Sequence, residues 1–360
     1  MFLSQLQLTN FRSYNSLNLS LNEGVTTFVG ENGEGKTNII ESIIYLSILS
    51  SHRVSTDQPL VQLGSEQAII RARINNGDRE ALLELEINSH RANRAKVNNQ
   101  PTRSQRGILG FLHTTFFSPE DLDLVRGDPG GRRAFIDQTL VQQTPRMSAV
   151  ISDYERALKQ RNSLLKTRAP QSSLEPWDEH LIEFGSEIVA ERIKLLSKLE
   201  EFFSEAHENI SKKKVFAVDY RSHIEGLSSD KDSNKGIFKE KLTEVRAQER
   251  DRGITLLGPH RDDLTLLLDN QLVKGYASQG ESWSVALTLK LATYLLLRSE
   301  GKNPILILDD VFAELDEKRR STLVDLALTA EQTLITVAVE SDLPTQLSQN
   351  LRYIKEGSVK

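Results

Sequence analysis

The chain of 360 residues has no cysteine, which excludes disulfides and thiolate metal centres and fits a reducing, cytoplasmic setting. No stretch approaches the roughly 18 apolar residues of a membrane span, so no membrane role is expected. The opening Met1-Phe2-Leu3-Ser4-Gln5 lacks the basic-then-apolar order of an export leader. An excess of base is also missing: 45 Lys and Arg stand against 50 Asp and Glu, for a net charge of −5. Proteins that coat nucleic acid are usually basic, so any contact with DNA falls to a local patch rather than to the field of the whole molecule. Histidine is absent after His260, which bears on catalysis below. The share of hydrophobic residues, 38%, is that of a soluble globular chain long enough for one large or two moderate domains.

The N-terminal third carries two-residue periods. Leu6 and Leu8 alternate with Gln5 and Gln7, and Leu83, Leu85 and Ile87 alternate with Glu84 and Glu86, the pattern of half-buried strands. Ala68 to Ile74 is the expected hairpin partner of the second, because Asn75-Asn76-Gly77-Asp78 has the chemistry of a tight turn. From about Arg132 to Ser211 the period is helical. The pairs Leu181/Ile182, Ile188/Val189, Leu195/Leu196 and Phe202/Phe203 recur every seven residues, as in a short coiled coil, a helical hairpin or a globular helix covering a core. Residues 226 to 236 are rich in Gly, Ser, Asp and Asn and are expected to form a mobile surface loop. Leu264 to Leu268, Ile305 to Leu308 and Thr333 to Val339 are expected strands, with a helix over Ser284 to Arg298.

Gly30-Glu31-Asn32-Gly33-Glu34-Gly35-Lys36-Thr37 matches G-x-x-x-x-G-K-[ST] in full, between the β-rich run Val25 to Val29 and the helical run from Asn38. Glycines let several backbone N–H groups face phosphates, and the helix start adds its dipole. Lys36 is expected to reach the β/γ phosphates of ATP and the Thr37 hydroxyl to ligate Mg²⁺. Ile305 to Leu308 then delivers two carboxylates, Asp309-Asp310. Asp309 is expected to hold Mg²⁺ through water, and Asp310 to polarise the attacking water. Ser278-Gln279-Gly280-Glu281 ahead of a helix is a weaker signal, because such tetrapeptides also serve as caps. His260-Arg261-Asp262 imitates a kinase catalytic loop, but no Asp-Phe-Gly follows it.

The order of phosphate loop, long insertion, Ser-x-Gly, apolar strand with two Asp, and Glu314-Leu315-Asp316 resembles the ABC-type ATPases, and their SMC-like branch in particular. Asn10-Phe11-Arg12-Ser13-Tyr14, Phe117 to Leu122, Arg132 to Asp137, Gly258 to Leu264 and Leu308 to Asp316 together resemble the RecF family over nearly the whole chain. The resemblance implies an α/β fold: an ABC-type ATPase head (a P-loop NTPase with a mixed sheet) and an inserted helical lobe, without a long coiled coil. The expected division is 1–124 with 252–360 as the ATPase lobe and 125–251 as the helical lobe.

The resemblance further implies an ATP-dependent, head-to-head homodimer. It would bind double-stranded DNA near gaps, act with RecO and RecR to load RecA, and serve fork recovery and SOS induction. Residue by residue, Arg12, Ser13, Gly30, Glu31, Asn32, Gly33, Glu34, Gly35, Lys36, Thr37 and Asn38 would surround the nucleotide. Ser278 and Gly280 would meet the γ-phosphate of the other copy, and Glu314 and Asp316 would form the D-loop at the dimer interface. Two departures stand out. Glu281 replaces the usual Gln, placing a carboxylate where it would repel a phosphate unless it turns away or binds a cation. The switch histidine of transporter-type relatives is missing. Both point to a weak, DNA-stimulated ATPase used as a switch. For DNA, Arg91, Arg94, Lys96, Arg103 and Arg106 lie in a run, 88–106, that has no acidic residue and could neutralise several phosphates; a solvated basic hairpin would look the same. Lys212-Lys213-Lys214 is a second such patch. The competing functions are an SMC-like mechanochemical ATPase and an ABC ATPase subunit that does not act on DNA.

Overall fold

A computed structural model of the protein describes residues 1–77, 79–211, 214–355 and 357–359. The chain forms two compact units, Met1–Leu122 with Glu208–Lys212 and Trp283–Lys360, and Asp123–His207 with Lys213–Ser282. In chain order the elements are β1 (Phe2–Phe11), β2 (Tyr14–Ser20), β3 (Gly24–Val29), α1 (Lys36–Ile48), β4 (Gln67–Asn76), β5 (Arg79–Asn88), β6 (Arg94–Val97), β7 (Gln100–Pro101) and β8 (Thr114–Phe117). They are followed by α2 (Leu122–Arg126), α3 (Pro129–Gln143), α4 (Met147–Lys166), α5 (Gln171–Ile210), β9 (Phe216–Arg221), α6 (Lys231–Arg252), β10 (Asp263–Leu268), β11 (Gln271–Leu272) and α7 (Gln279–Ser299). The chain ends with β12 (Ile305–Asp309), α8 (Glu317–Thr329), β13 (Gln332–Val337), β14 (Leu351–Lys355) and β15 (Ser358–Val359).

The first unit holds two six-stranded sheets. One is antiparallel, in the order β2-β1-β4-β5-β6-β7; the other runs β15-β14-β3-β13-β12-β8, with only β15 antiparallel to its neighbour. The expected β4–β5 hairpin forms, with Ala68 opposite Ile87 and Asn76 opposite Arg79, and its alternation puts Ile70, Ala72, Ile74, Leu83, Leu85 and Ile87 into one core. Each such leucine or isoleucine contributes about 1.5–3 kcal/mol on burial. β12 and β13 are buried along their length, as parallel strands covered on both faces must be. Helix α1 is nearly all core: Ile39, Ile40, Ile43, Ile44 and Leu46 are buried with Leu334 and Ile307 of the parallel sheet. The loop that starts α1 is thereby fixed to the ends of the strands. Gln332, wholly buried, joins the two sheets: its amide accepts from Leu3 N (2.8 Å) and donates to Leu3 O and Asn22 O (2.9 Å each).

In the second unit β9, β10 and β11 make a small antiparallel sheet. The expected division placed 252–360 with the ATPase lobe; residues 252–282 instead belong to the second unit, because β10 hydrogen-bonds β9 from Asp263↔Arg221 to Leu268↔Phe216. The seven-residue repeat lies on α5, and at least one member of every pair is buried: Leu181, Ile188, Val189, Leu195 and Phe203. α5 is therefore a globular helix rather than an exposed seam. Arg161 of α4, itself buried, binds Asp178 of α5 (2.6 Å) and Glu249 of α6 (2.7 Å). A buried cluster of this kind fixes which helices meet, more than it adds to stability.

The surface loop expected over 226–236 is corrected. Asp230 caps α6, so residues 231–236 are its first turns. Asn234 is wholly buried, accepts from Ser228 N and donates to Ser228 O (2.8 Å each), and so ties down the segment before the helix. Polar composition marked a cap and an internal hydrogen-bond knot, not a loop.

Replacing Gln332 by Leu strands the buried Leu3 N–H and carbonyl in a dry interior and removes the bond to the exposed Asn22. Gln332→Leu is expected to lose about 2–4 kcal/mol of unfolding free energy, read as a lower urea midpoint with an unchanged slope.

Candidate nucleotide-binding site

The loop between β3 and α1 follows the parallel sheet. Gly30 N donates to Val337 O of β13 (3.3 Å), and a Cβ on Gly30 would lie 2.5 Å from Ile354 O. Gly35 has φ 110°, and a Cβ there would strike the Tyr14 hydroxyl at 2.7 Å. Tyr14 is buried, donates to Gly35 O (3.2 Å), and burial pushes its phenol up to about 12. The Tyr of the Asn10–Tyr14 motif is thus a floor under the loop. Lys36 is buried and donates to the loop's own carbonyls, Gly30 O (2.5 Å) and Glu31 O (3.1 Å). Glu31, Asn32 and Gly33 are exposed, and Glu34, Thr37 and Asn38 are half-buried.

Arg12 and Ser13 both reach α1. Arg12, at φ 53°, forms a two-pronged pair with the buried Glu41 (2.8 and 2.5 Å) and also donates to Pro59 O (3.0 Å). Burial works against the Glu41 carboxylate, yet hydrogen bonds from Arg12 and Ser51 outweigh it and hold its pKa below the usual range. Asn38 donates to Ser13 Oγ (2.8 Å) and accepts from Arg53 (3.0 Å). Arg53 was not singled out by the sequence; only the return of the chain after α1 brings it one position beyond Thr37.

β12 ends in Asp309, and Asp310 follows it. Asp309 is buried and accepts from the Thr336 hydroxyl. Burial pushes its pKa up to about 6, the charges of Asp310 and Glu120 add to this, and Thr336 and Lys36 oppose it. Asp310 sits at φ 51°, with its N–H held by Thr336 O and Oγ1 (3.2 Å each). A non-glycine residue in that region costs about 1–3 kcal/mol and marks a position the surroundings impose. Burial raises the Asp310 carboxyl as well, against the Lys36 charge.

Phe117 to Leu122 had no assigned role. β8 pairs with β12, Phe117 opposite Leu308, so this motif leaves the sheet beside Asp309. Ser118 and Asp121 cap one another, Asp121 pairs with Lys290 (2.9 Å), and the exposed Glu120 adds its charge to the aspartates. Among the described residues no three His, Cys, Asp or Glu side chains converge to hold a metal by themselves. A Mg²⁺ ion usually binds one or two protein groups, phosphate oxygens and water. Thr37, Asp309 and un-neutralised acid at the strand end fit that donor set.

Ser278 precedes α7, and Glu281 turns back to it: the carboxylate accepts from Ser278 N (2.9 Å) and Oγ (2.8 Å), and from Lys214 (2.8 Å). The anomalous acid therefore both turns away and binds a cation. Hydrogen bonds from Lys214 and then Ser278 hold it down at about 2. Asp316 caps α8 through Arg319 N (3.0 Å) and pairs with Arg319, while Glu314 is exposed.

The two motifs rich in Arg and Asp meet in the second unit. Arg132 grips Asp263 (2.7 and 2.9 Å), Arg133 donates to Asp262 O (2.9 Å), and Arg192 grips Asp137 (2.8 and 2.7 Å) and donates to Pro259 O (2.8 Å). Asp262 accepts from Tyr220 (2.6 Å) and Ser222 (2.7 Å). His260 shares a 2.6 Å hydrogen bond with Tyr154, and burial pushes it down to about 4. Arg261 donates to Thr255 O (3.2 Å). These groups satisfy one another, which gives the motif a framework role.

The basic run 88–106 is less basic than it looks. Glu84 and Glu86 stand on β5 across from β6. Lys96 pairs with Glu84 (2.7 Å), and Arg91 with Glu86 (3.5 Å), Asn88 and Gln67. Arg94, Arg103 and Arg106 have no ion-pair partner among the described residues. In the other patch Lys212 and Lys213 lie outside the described residues, and Lys214 is taken by Glu281. No helix among the described residues is long and apolar enough to cross a membrane.

Residues 2–359 match the family model of the RecF/RecN/SMC N-terminal domain. The chain is 46% identical to the DNA replication and repair protein RecF of Streptomyces avermitilis, with all of both chains covered. It is 46% identical to that of Frankia alni, covering 100% of this chain and 99% of the relative. Among solved structures it matches the recombination mediator protein RecF with ATPrS (TM-score 0.91, 29% identity, 100% and 97% covered) and with ATP (TM-score 0.89, 30% identity, 100% and 97% covered). An Smc head domain of Pyrococcus furiosus shares the fold at TM-score 0.55 and 16% identity, with 100% and 95% covered.

Asp309 keeps its proton to about pH 6 when folded, against an ordinary value of 3.8. That difference is on the order of 3 kcal/mol, acts against folding at neutral pH, and fades as pH falls from about 6 to about 4. Asp309→Asn is expected to raise the melting temperature of the nucleotide-free protein at pH 7, with the gain shrinking toward pH 4. A lower melting temperature at pH 7 would contradict the electrostatic picture.

Proposed function

The chain belongs to the RecF family, and on that premise we propose that it is an ATP-gated repair protein in which each nucleotide is sandwiched between two copies. The carrying observation is the site's incomplete charge balance: Lys36 is turned onto Gly30 and Glu31 carbonyls, while burial raises the Asp309 and Asp310 carboxyls, with the charge of Asp310 adding to the first and those of Asp342 and Glu120 to the second. A polyphosphate draws Lys36 off those carbonyls. Thr37 and Asp309 would hold a divalent cation, whose charge would neutralise the acid at the end of β12. Asp310, fixed by its left-handed backbone, orients the attacking water as general base. Arg12, Ser13 and Asn38 position the loop from behind, and Ser278 and Gly280 of the other copy meet the γ-phosphate.

The γ-phosphate thus joins two copies, and its hydrolysis releases them. Moving a 1:99 monomer bias to 99:1 needs about 5.5 kcal/mol, a magnitude within reach of two nucleotides with charge-assisted hydrogen bonds. No histidine follows β13 to assist, so turnover is slow, which suits a clamp or timer better than a motor. The dimer holds double-stranded DNA near gaps and, with RecO and RecR, promotes RecA loading. Glu314 and Asp316 lie at the dimer interface, and contact with DNA falls to Arg94, Arg103 and Arg106.

Sedimentation with and without ATP tests the sandwich: wild type dimerises with ATP, and Lys36→Arg and Ser278→Arg do not. Normal dimers of Ser278→Arg would rule it out. For DNA, replacing Arg94, Arg103 and Arg106 by Ala is expected to flatten the slope of log affinity against log salt by about 2–3 per copy. Lys96→Ala is expected to leave it nearly unchanged.

A further inference from the structure

Two charged side chains from separate elements meet beside Ser278. Glu281, in the first turn of α7, places one carboxylate oxygen on the Ser278 N–H (2.9 Å) and hydroxyl (2.8 Å); its other oxygen takes Lys214 Nζ (2.8 Å). Lys214 comes from the segment before β9. Its neighbour Val215 is fixed to the β10–β11 turn, donating to Asp269 Oδ1 and accepting from Asp269 N (2.9 Å each). The ammonium is therefore delivered by the β9–β11 sheet and not by the signature's own helix.

A helix cap accounts for only part of this geometry. In a Ser-x-x-Glu capping box the hydroxyl accepts from the third N–H and the carboxylate accepts from the first, and here the former bond is long (3.3 Å). Two further features are the hydroxyl donating into the carboxylate and the ammonium on its second oxygen. An N–H, an O–H and an ammonium thus surround one anion, the donor set that binds a phosphate. The pair is exposed, 40% at Lys214 and 33% at Glu281, where an isolated ion pair adds little to stability.

We propose that Lys214 and Ser278 together form the half-site for the terminal phosphate of the neighbouring copy's nucleotide, and that the Glu281 carboxylate occupies this half-site in the free protomer. Docking then requires the phosphate to displace Glu281 from Ser278 and Lys214. The carboxylate keeps the two donors ordered and discourages binding of stray anions. It also sets a threshold of nucleotide occupancy below which copies stay apart. The proposal rests on the sandwich reading.

The test is the ATP dependence of sedimentation, in the presence of Mg²⁺, for wild type, Lys214→Ala, Glu281→Gln and Ser278→Arg, with melting curves as a folding control. Gln preserves the capping box and removes the charge. Glu281→Gln is expected to dimerise at about tenfold lower ATP, and Lys214→Ala to require about tenfold more. The proposal is overturned if Glu281→Gln weakens or does not change dimerisation, or if Lys214→Ala matches wild type, while Ser278→Arg still abolishes it. Normal dimers of Ser278→Arg would instead overturn the sandwich itself, and this proposal with it.

Discussion

The constraint from which the rest follows is that Lys36 and the aspartates of β12 share a site without neutralising one another. Opposite charges near each other in a protein interior usually pair. Here the lysine is bound to Gly30 and Glu31 carbonyls, and Asp309 is bound to a neutral hydroxyl from Thr336. Burial accordingly raises the Asp309 carboxyl to about 6, with Asp310 and Glu120 adding to the effect. Keeping these groups apart requires a rigid frame, which the buried α1 and the parallel strands β3, β13 and β12 supply. On the proposed reading, stability is given up at the strand end so that a ligand carrying both signs, polyphosphate with cation, would find both halves prepared.

Much of this frame was legible in the sequence, for reasons that can be named. The glycines at 30 and 35 are required by a carbonyl and a tyrosine that leave no room for a Cβ, so the motif itself reports the tertiary neighbourhood. The buried parallel strands announced themselves as unbroken apolar runs, and the β4–β5 pairing followed from its turn. What stayed hidden depended on pairing across the chain. The charge of Glu120 beside the aspartates requires β8 to lie next to β12, 191 residues later by the register Phe117↔Leu308. The screening of Lys96 and Arg91 by Glu84 and Glu86 requires the β5–β6 register. A window over 88–106 sees only the basic strand.

The same limit explains two misplaced expectations. Polar residues at 226–236 promised a loop, but a cap at Asp230 and the buried Asn234 amide turned half of them into helix. The boundary drawn at 252 kept Leu264 to Leu268 with the parallel strands, although an apolar strand carries no mark of which sheet it joins, and β9 took it. The Gly258–Asp263 motif, by contrast, only imitates a kinase loop, and the structure shows reciprocal satisfaction: Asp263 with Arg132, Asp262 with Tyr220 and Ser222, and Arg192 bridging Asp137 to Pro259 O. Titratable groups that satisfy each other serve as framework, whereas those at the end of β12, left unsatisfied, are the ones poised for a ligand.

That contrast bears on how an acidic protein could hold DNA. With net charge −5 and two of five hairpin cations already paired, one copy offers only Arg94, Arg103 and Arg106 from that hairpin. Three phosphate contacts give weak, salt-sensitive attachment. Joining two copies through nucleotide doubles the contacts, and the second set binds at the effective concentration set by the first. On the sandwich reading, nucleotide control of DNA binding then needs no rearrangement within a protomer, because dimerisation alone raises affinity steeply. A more basic hairpin would hold DNA as a single copy and disconnect DNA binding from the nucleotide. On the same reading Glu84 and Glu86, by pairing Lys96 and Arg91, would limit what a single copy can hold.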